Sequence, residues 1–164
     1  MPIRGFARAA APPGHMRQDI GWREEVALPD LHIARLKAKV DTGARTSALH
    51  AEHVERFTCG GLAWVRFSVP LAAAAGRVEA PVADEREIRN TSGRAARRIV
   101  IRTLLVLGQR HWPIEVSLAD RTEMSFDLIL GRTAIRGRRL CVDPGRSFLA
   151  GPPVLPALPP EAAR

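Results

Sequence analysis

The chain has 164 residues, of which 46% are apolar and 26% charged, a balance that suits one soluble folded domain and excludes wholesale disorder. No apolar run approaches the roughly 20 residues that cross a bilayer, no apolar stretch with a cleavage site opens the chain, and a cytoplasmic location is expected. Two cysteines, Cys59 and Cys141, leave little for a disulfide framework, and a net charge of +8, nearly all of it arginine, favours acidic or polyanionic partners without choosing among them.

Taken in chain order, residues 1–18 lack periodicity and carry Pro12-Pro13-Gly14, which predicts a flexible leader. The folded domain is expected over 19–150. Within it Ala34, Leu36, Ala38 and Val40 alternate with Arg35, Lys37 and Lys39, the pattern of a half-buried strand. Ala63, Val65, Phe67 and Val69 repeat it, as do Trp112, Ile114, Val116 and Leu118. Residues 71–77 have helix propensity but are too few to hold a helix alone. The β-branched run from Arg98 to Leu107 ends at Gly108-Gln109, which predicts a hairpin into the Trp112 strand. Leu128-Ile129-Leu130, stopped by Gly131, predicts a fully buried strand, with a short helix over Thr133 to Arg138. The proline-rich segment 151–164 predicts a flexible tail. Short strands and few helical patterns give an all-β class with one or two short helices.

The chemistry centres on Lys39-Val40-Asp41-Thr42-Gly43-Ala44, where a strand runs into a carboxylate, a small hydroxyl residue and a glycine. Such a sequence suits the presentation of Asp41 on a tight loop, in which Gly43 allows close approach and unusual dihedrals and Thr42 offers a hydroxyl to a neighbouring loop. Asp-Thr-Gly alone is equally a turn after a strand. The downstream run Asp127-Leu128-Ile129-Leu130-Gly131-Arg132 adds weight, because pepsin-like and retroviral proteases pair an Asp-Thr-Gly-Ala loop with a later apolar strand ending in glycine.

Together with Gly21-Trp22-Arg23-Glu24, Lys37 through His50, Val100-Ile101-Arg102-Thr103, Trp112-Pro113-Ile114-Glu115, Leu130-Gly131-Arg132-Thr133 and Val142 through Ser147, these segments resemble the bacterial RimB, or RimK-associated, retropepsin-like protease family over roughly residues 20 to 150. The resemblance implies a retropepsin-like acid protease fold, a closed or partly open β-barrel, and an aspartic peptidase in which Asp41, Thr42 and Gly43 form the catalytic loop. Ala44 and Arg45 would meet substrate, and so would Thr91, Ser92 and Gly93 at the tip of a flap hairpin expected over Asp84 to Arg98. Leu130, Gly131 and Arg132 would support the site from below, Arg132 resembling the retropepsin arginine that forms a dimer ion pair. Peptide hydrolysis by this route needs two carboxylates sharing a proton. With one Asp-Thr-Gly and no internal repeat, the pair can form only in a homodimer with Asp41 from each copy at the two-fold axis.

The family has often been called an ATP-dependent zinc protease, but there is no HExxH, no phosphate loop ending in Lys-Ser or Lys-Thr and no cysteine pair, so neither metal nor other cofactor is expected. A zinc site could be argued from His50, His53, Asp41 and Cys59, although such a cluster is more often a helix-capping or surface histidine pair beside an unrelated thiol. Arg45, Arg86, Arg89, Arg94, Arg97 and Arg98, near the catalytic loop or the flap, point to an acidic peptide substrate. This accords with the implied association with RimK, a ligase that adds glutamates to a ribosomal protein, and hence with glutamylated protein substrates and a ribosomal link. Trp22, Trp64 and Trp112 are expected in the core or in strand pairs, and Asp143 in a turn. Two other readings are a catalytically silent retropepsin module that binds acidic peptides or ribosomal components, and an arginine-rich RNA binder. The second lacks the interleaved aromatics of stacking platforms, with no tyrosine and 5% aromatic residues.

Overall fold

The computed structural model describes residues 16–70, 76–90 and 92–157. The expected leader up to residue 15, most of the 71–77 segment, Thr91 and the end of the tail lie outside the described residues.

Eleven strands carry the fold, with one 3-10 turn at Pro29–Leu31 and one helical turn, α1 (Arg132–Ile135), among the described residues. The strands are β1 (Gln18–Gly21), β2 (Arg23–Leu28), β3 (Ile33–Val40), β4 (Ser47–His50), β5 (Glu52–Cys59), β6 (Leu62–Ser68), β7 (Arg77–Arg89), β8 (Ala95–Leu107), β9 (Arg110–Ala119), β10 (Leu128–Leu130) and β11 (Leu140–Asp143). The all-β class read from the alternation is the class observed.

Nine strands form one mixed sheet in the order β2-β3-β10-β4-β9-β8-β7-β6-β5. A further pairing of β2 with β8 (Val26 opposite Leu107, Ala27 opposite Val106) closes the first six into a ring, with β7, β6 and β5 extending from it as a wing. One edge of β8 serves both partners: β7 takes Ala95 to Ile101, and β2 takes Val106 and Leu107. Between them the Leu104 N–H donates to the Asp30 carboxylate at 2.8 Å, so the change of partner leaves no stranded donor at that point. Closure removes exposed edges and surrounds a core that includes Leu36, Leu49, Ile101, Leu105, Val116, Leu128 and Leu130.

The predicted β8–β9 hairpin forms through Gly108-Gln109, with Leu107 opposite Arg110. Trp112, Ile114, Val116 and Leu118 are buried as their alternation requires, and Ser117 joins them because its hydroxyl donates to the Ser47 carbonyl at 3.1 Å. In β3 the alternation holds from Leu36 onward, but Ala34 is exposed and Ile33 buried. A register shift opposite Val26 to Leu28 in β2 turns the inward face by one residue there. The helix expected over Thr133 to Arg138 is only the turn α1, since the Arg136 N–H bonds Arg132 and the backbone is extended at residue 136.

β1 pairs in parallel with β11 as a separate two-stranded sheet. The fully buried Glu24 ties this sheet to the barrel: its carboxylate accepts from the N–H groups of Gly21 (2.5 Å), Leu149 (2.9 Å) and Ala150 (3.2 Å). A buried carboxylate is tolerable only with such donors around it. Beyond residue 150, the Val154 N–H donates to the Gly108 carbonyl at 2.8 Å. No helix among the described residues is long and apolar enough to cross a membrane.

Candidate active site

β10 is threaded between β3 and β4: Leu128, Ile129 and Leu130 lie parallel to Ala38, Lys39 and Val40, and antiparallel to Leu49 and Ala48. Chain segments far apart in sequence thereby meet at one level, with Asp41 leaving β3 as Gly131 leaves β10. The Asp41 N–H donates to the Leu130 carbonyl at 2.9 Å. The Asp41 side chain turns back on its own loop, where Oδ1 accepts from the N–H groups of Gly43 (3.0 Å) and Ala44 (3.1 Å). One carboxylate oxygen is thus fixed by backbone donors, and Oδ2 lies outside that turn.

The support beneath this loop is backbone to backbone. The N–H groups of Arg132 and Thr133 donate to the carbonyls of Ala44 (2.8 Å) and Arg45 (3.1 Å), and the Gly131 N–H donates to the buried Ser47 hydroxyl at 3.1 Å. Within a single chain Arg132 closes the loop, its Nη1 donating to the carbonyls of Thr42 (3.0 Å) and Gly43 (2.9 Å). Gly43 does not adopt the left-handed backbone that its place in the motif suggests. Its requirement is space, since an added Cβ would lie 3.2 Å from Asp41 Oδ1. Thr42 is exposed, and among the described residues its hydroxyl makes no recorded hydrogen bond.

Asp41 opens into a cleft of about 1170 Å³. One wall is the hairpin of β7 and β8, paired from Asp84 opposite Val100 to Arg89 opposite Ala95. At its tip Asn90 Oδ1 accepts from the Arg94 N–H (2.8 Å) and the Ser92 hydroxyl (2.7 Å), and Gly93 takes a positive φ of 79°. The hairpin expected over Asp84 to Arg98 is therefore present. Its arm residues, Arg86 to Asn90, line the cleft together with Asp41, Gly43, Ala44 and Arg45, whereas Ser92 and Gly93 are engaged in the turn and do not line it. Thr91 lies outside the described residues.

The opposite wall comes from residues 120–127 and contains groups that sequence patterns did not single out. Arg121 lines the cleft, held by its main-chain N–H to Nδ1 of the buried His50 (2.8 Å) and by Nε to the Phe126 carbonyl (2.9 Å). Burial and the neighbouring Arg98 cation push its pKa below the usual arginine value, while Asp127 and Asp41 push it up. His50 Nε2 lies 3.2 Å from the Glu52 carboxylate, so both ring nitrogens are occupied. Trp22 also belongs to the cleft and not to the core: it is half-buried and meets Phe126 edge-on at 6.0 Å. Trp112 is buried, as expected, and donates to the Ala134 carbonyl at 2.8 Å. The four residues from which a zinc site could be argued are split between the Asp41 loop, the buried end of β4 and the exposed strand β5, and no group of three or more potential ligands occurs among the described residues. Asp143 Oδ1 accepts the Gly145 N–H at 2.8 Å, as a turn residue does.

Similar proteins carry names from two directions. Probable alpha-L-glutamate ligases from Parasynechococcus marenigrum and Desulfotalea psychrophila are each 43% identical to this chain over 136 residues, which is 80% of this chain but 29% of theirs. The chain thus spans under a third of the length of these relatives. A crystal structure of a Legionella pneumophila protein of unknown function superposes with a TM-score of 0.69 at 28% identity, covering 81% of this chain and 98% of that one. The family model of the retropepsin-like aspartic endopeptidase RimB matches residues 20–153, and with it the threaded strand, the Asp-Thr-Gly loop and the β-barrel fall into place: the chain belongs to the RimB-like family and has the retropepsin-like fold.

Proposed function

We propose that the chain is one half of an aspartic peptidase, completed by a second copy, that hydrolyses peptide bonds in glutamate-rich peptides or protein tails. The observation that carries this reading is the Asp41 loop. A carboxylate sits on the floor of a peptide-sized cleft, with Oδ1 immobilised by two backbone donors and the loop backed by the threaded strand β10. Thr42 and Gly43 are exposed, so the loop is open to a symmetry-related loop. In the dimer one Asp41 carboxylate takes a proton from water while the other, protonated, hydrogen-bonds the scissile carbonyl. Water oxygen bonds to the carbonyl carbon as the carbonyl oxygen takes the proton of the second carboxyl, giving a neutral tetrahedral diol. One hydroxyl of the diol returns that proton when the intermediate collapses. A proton passes to the amide nitrogen, the C–N bond breaks, and the pair returns to its singly protonated state. The β7–β8 hairpin acts as the flap, and Arg132 adds a dimer contact to its role in the loop.

The acidic substrate is supported by the cations around the cleft and by the relatives, whose names connect a similar segment with glutamate ligation in one polypeptide. Glutamylated protein tails are the substrate class that this connection favours.

Glutamate-rich peptides incubated with the protein should be cleaved, and Asp41→Asn should abolish cleavage, by at least about 10³-fold, while leaving peptide binding in place. Binding without any cleavage by the parent protein would instead make it a silent peptide-binding module.

A further inference from the structure

The positive charge of the cleft is not evenly compensated. Arg86 is answered by Asp84 (2.6 Å) and Glu115 (2.8 Å), and Arg97 by Glu85 (2.9 Å), so these guanidinium groups are neutralised within the sheet. Lys39, Arg45, Arg89, Arg98 and Arg121 line the cleft with Asp41 and have no carboxylate within ion-pair distance among the described residues, but only Arg98 and Arg121 are partly buried, the other three being exposed.

Arg121 is also built in. Its main chain is anchored on His50, which is 4% exposed, and its Nε on the Phe126 carbonyl. Those two bonds use none of the N–H groups on its terminal nitrogens, which make no recorded bond among the described residues. Arg98 is close enough to depress Arg121 electrostatically. Two partly buried cations lining one cleft are unfavourable by themselves and become favourable when an anion is shared between them. A guanidinium fork of fixed orientation selects a planar carboxylate over a neutral amide of the same shape.

We propose that Arg98 and Arg121 form the carboxylate-binding subsite of the cleft, gripping a carboxylate of the acidic peptide beside the Asp41 loop, and that they set the preference for glutamate more than Arg45 or the hairpin tip does. The subsite rests on the acidic-substrate reading above, yet binding at it requires no turnover. His50 and Phe126 are positioning residues that hold Arg121 in place.

The test uses the full chain carrying Asp41→Asn, so that nothing is consumed, and titrates tetra-L-glutamate, its C-terminal amide, tetra-L-glutamine and an oligouridylate by calorimetry. Tetraglutamate and its C-terminal amide should bind alike, and tetraglutamine, which keeps only the terminal carboxylate, should bind at least about tenfold more weakly, as a side-chain carboxylate in the subsite requires. Arg121→Gln and Arg98→Gln should each weaken tetraglutamate at least about tenfold, whereas Arg97→Gln, removed from the cleft lining, should change it less than about twofold. Arg98 makes no recorded hydrogen bond through its side chain, so its variant keeps the test valid if loss of Arg121 disturbs folding. Three results would overturn the subsite: unchanged affinity in both cleft variants, equal weakening by Arg97→Gln, or an oligouridylate bound more tightly than the peptide through the same arginines. A parent protein that binds tetraglutamate through Arg98 and Arg121 but cleaves nothing would remove the peptidase reading and leave the subsite standing.

Discussion

A methyl group built on Gly131 would stand 2.7 Å from the Thr46 carbonyl carbon and 2.8 Å from the Arg45 and Thr46 oxygens, all of them backbone atoms. Those atoms belong to the segment that leads out of the Asp41 loop, so they cannot retreat without moving the candidate catalytic carboxylate. Gly131 has φ −79° and ψ 175°, which any residue adopts, and its requirement is therefore close approach rather than dihedral freedom. Gly131→Ala is expected to destabilise the fold by about 2–3 kcal/mol, read from chemical denaturation, and to lower peptidase activity more than the loss of folded protein explains. Asp41, Leu130 and Gly131 could be found in the sequence because alternation and a short apolar run stopped by glycine are local signals. Arg121 and His50 could not. The bond that joins them spans 71 residues, and nothing around Arg121 marks it off from an ordinary polar loop. Trp22 was misplaced for a related reason, since its neighbours form strands while its ring faces the cleft.

At the level of elements, the β7–β8 hairpin is held by charge as well as by its ladder. Arg86 and the Glu85 N–H hold the Asp84 carboxyl below its ordinary 3.8, and Arg97 with Arg56 holds Glu85 below 4.5. A carboxyl whose folded pKa is lowered contributes stability above its unfolded value and loses it as the pH falls through the folded value. The hairpin should therefore keep its backbone NMR shifts from pH 7 down to 4.5 and lose them only as the pH falls below 3.8. Asp84 is exposed and Glu85 half-buried, so about 0.5 M salt should weaken the effect, more at Asp84 than at Glu85. Shifts that already move between pH 6 and 5 would contradict this. The hairpin itself was legible because Asn90 and Gly93 interrupt two strand-like arms, but its lining residues were not: the arm, and not the tip, faces the cleft. Elements without alternation stayed hidden. β5 is exposed along most of its length, and β1 and β11 are four residues each, so neither offers the period-two signal that identified β3 and β9.

For the molecule as a whole, the barrel closes by letting one edge of β8 serve both β7 and β2, an arrangement no local pattern announces, although the all-β class followed from the strands alone. The same topology explains why a single chain presents one Asp-Thr-Gly loop on an open surface, with Thr42 and Gly43 exposed. On the peptidase reading, two such loops must meet for catalysis. This requirement is tested most directly by measuring cleavage of a glutamate-rich peptide at fixed parent protein while Asp41→Asn protein is added. Mixed dimers carry one Asp41 and cannot form the pair, so activity should fall progressively as the variant is added, and without the variant the rate should rise more steeply than linearly with protein concentration at low concentration. A rate strictly proportional to concentration, untouched by excess Asp41→Asn protein, would show that each chain works alone and would contradict the account.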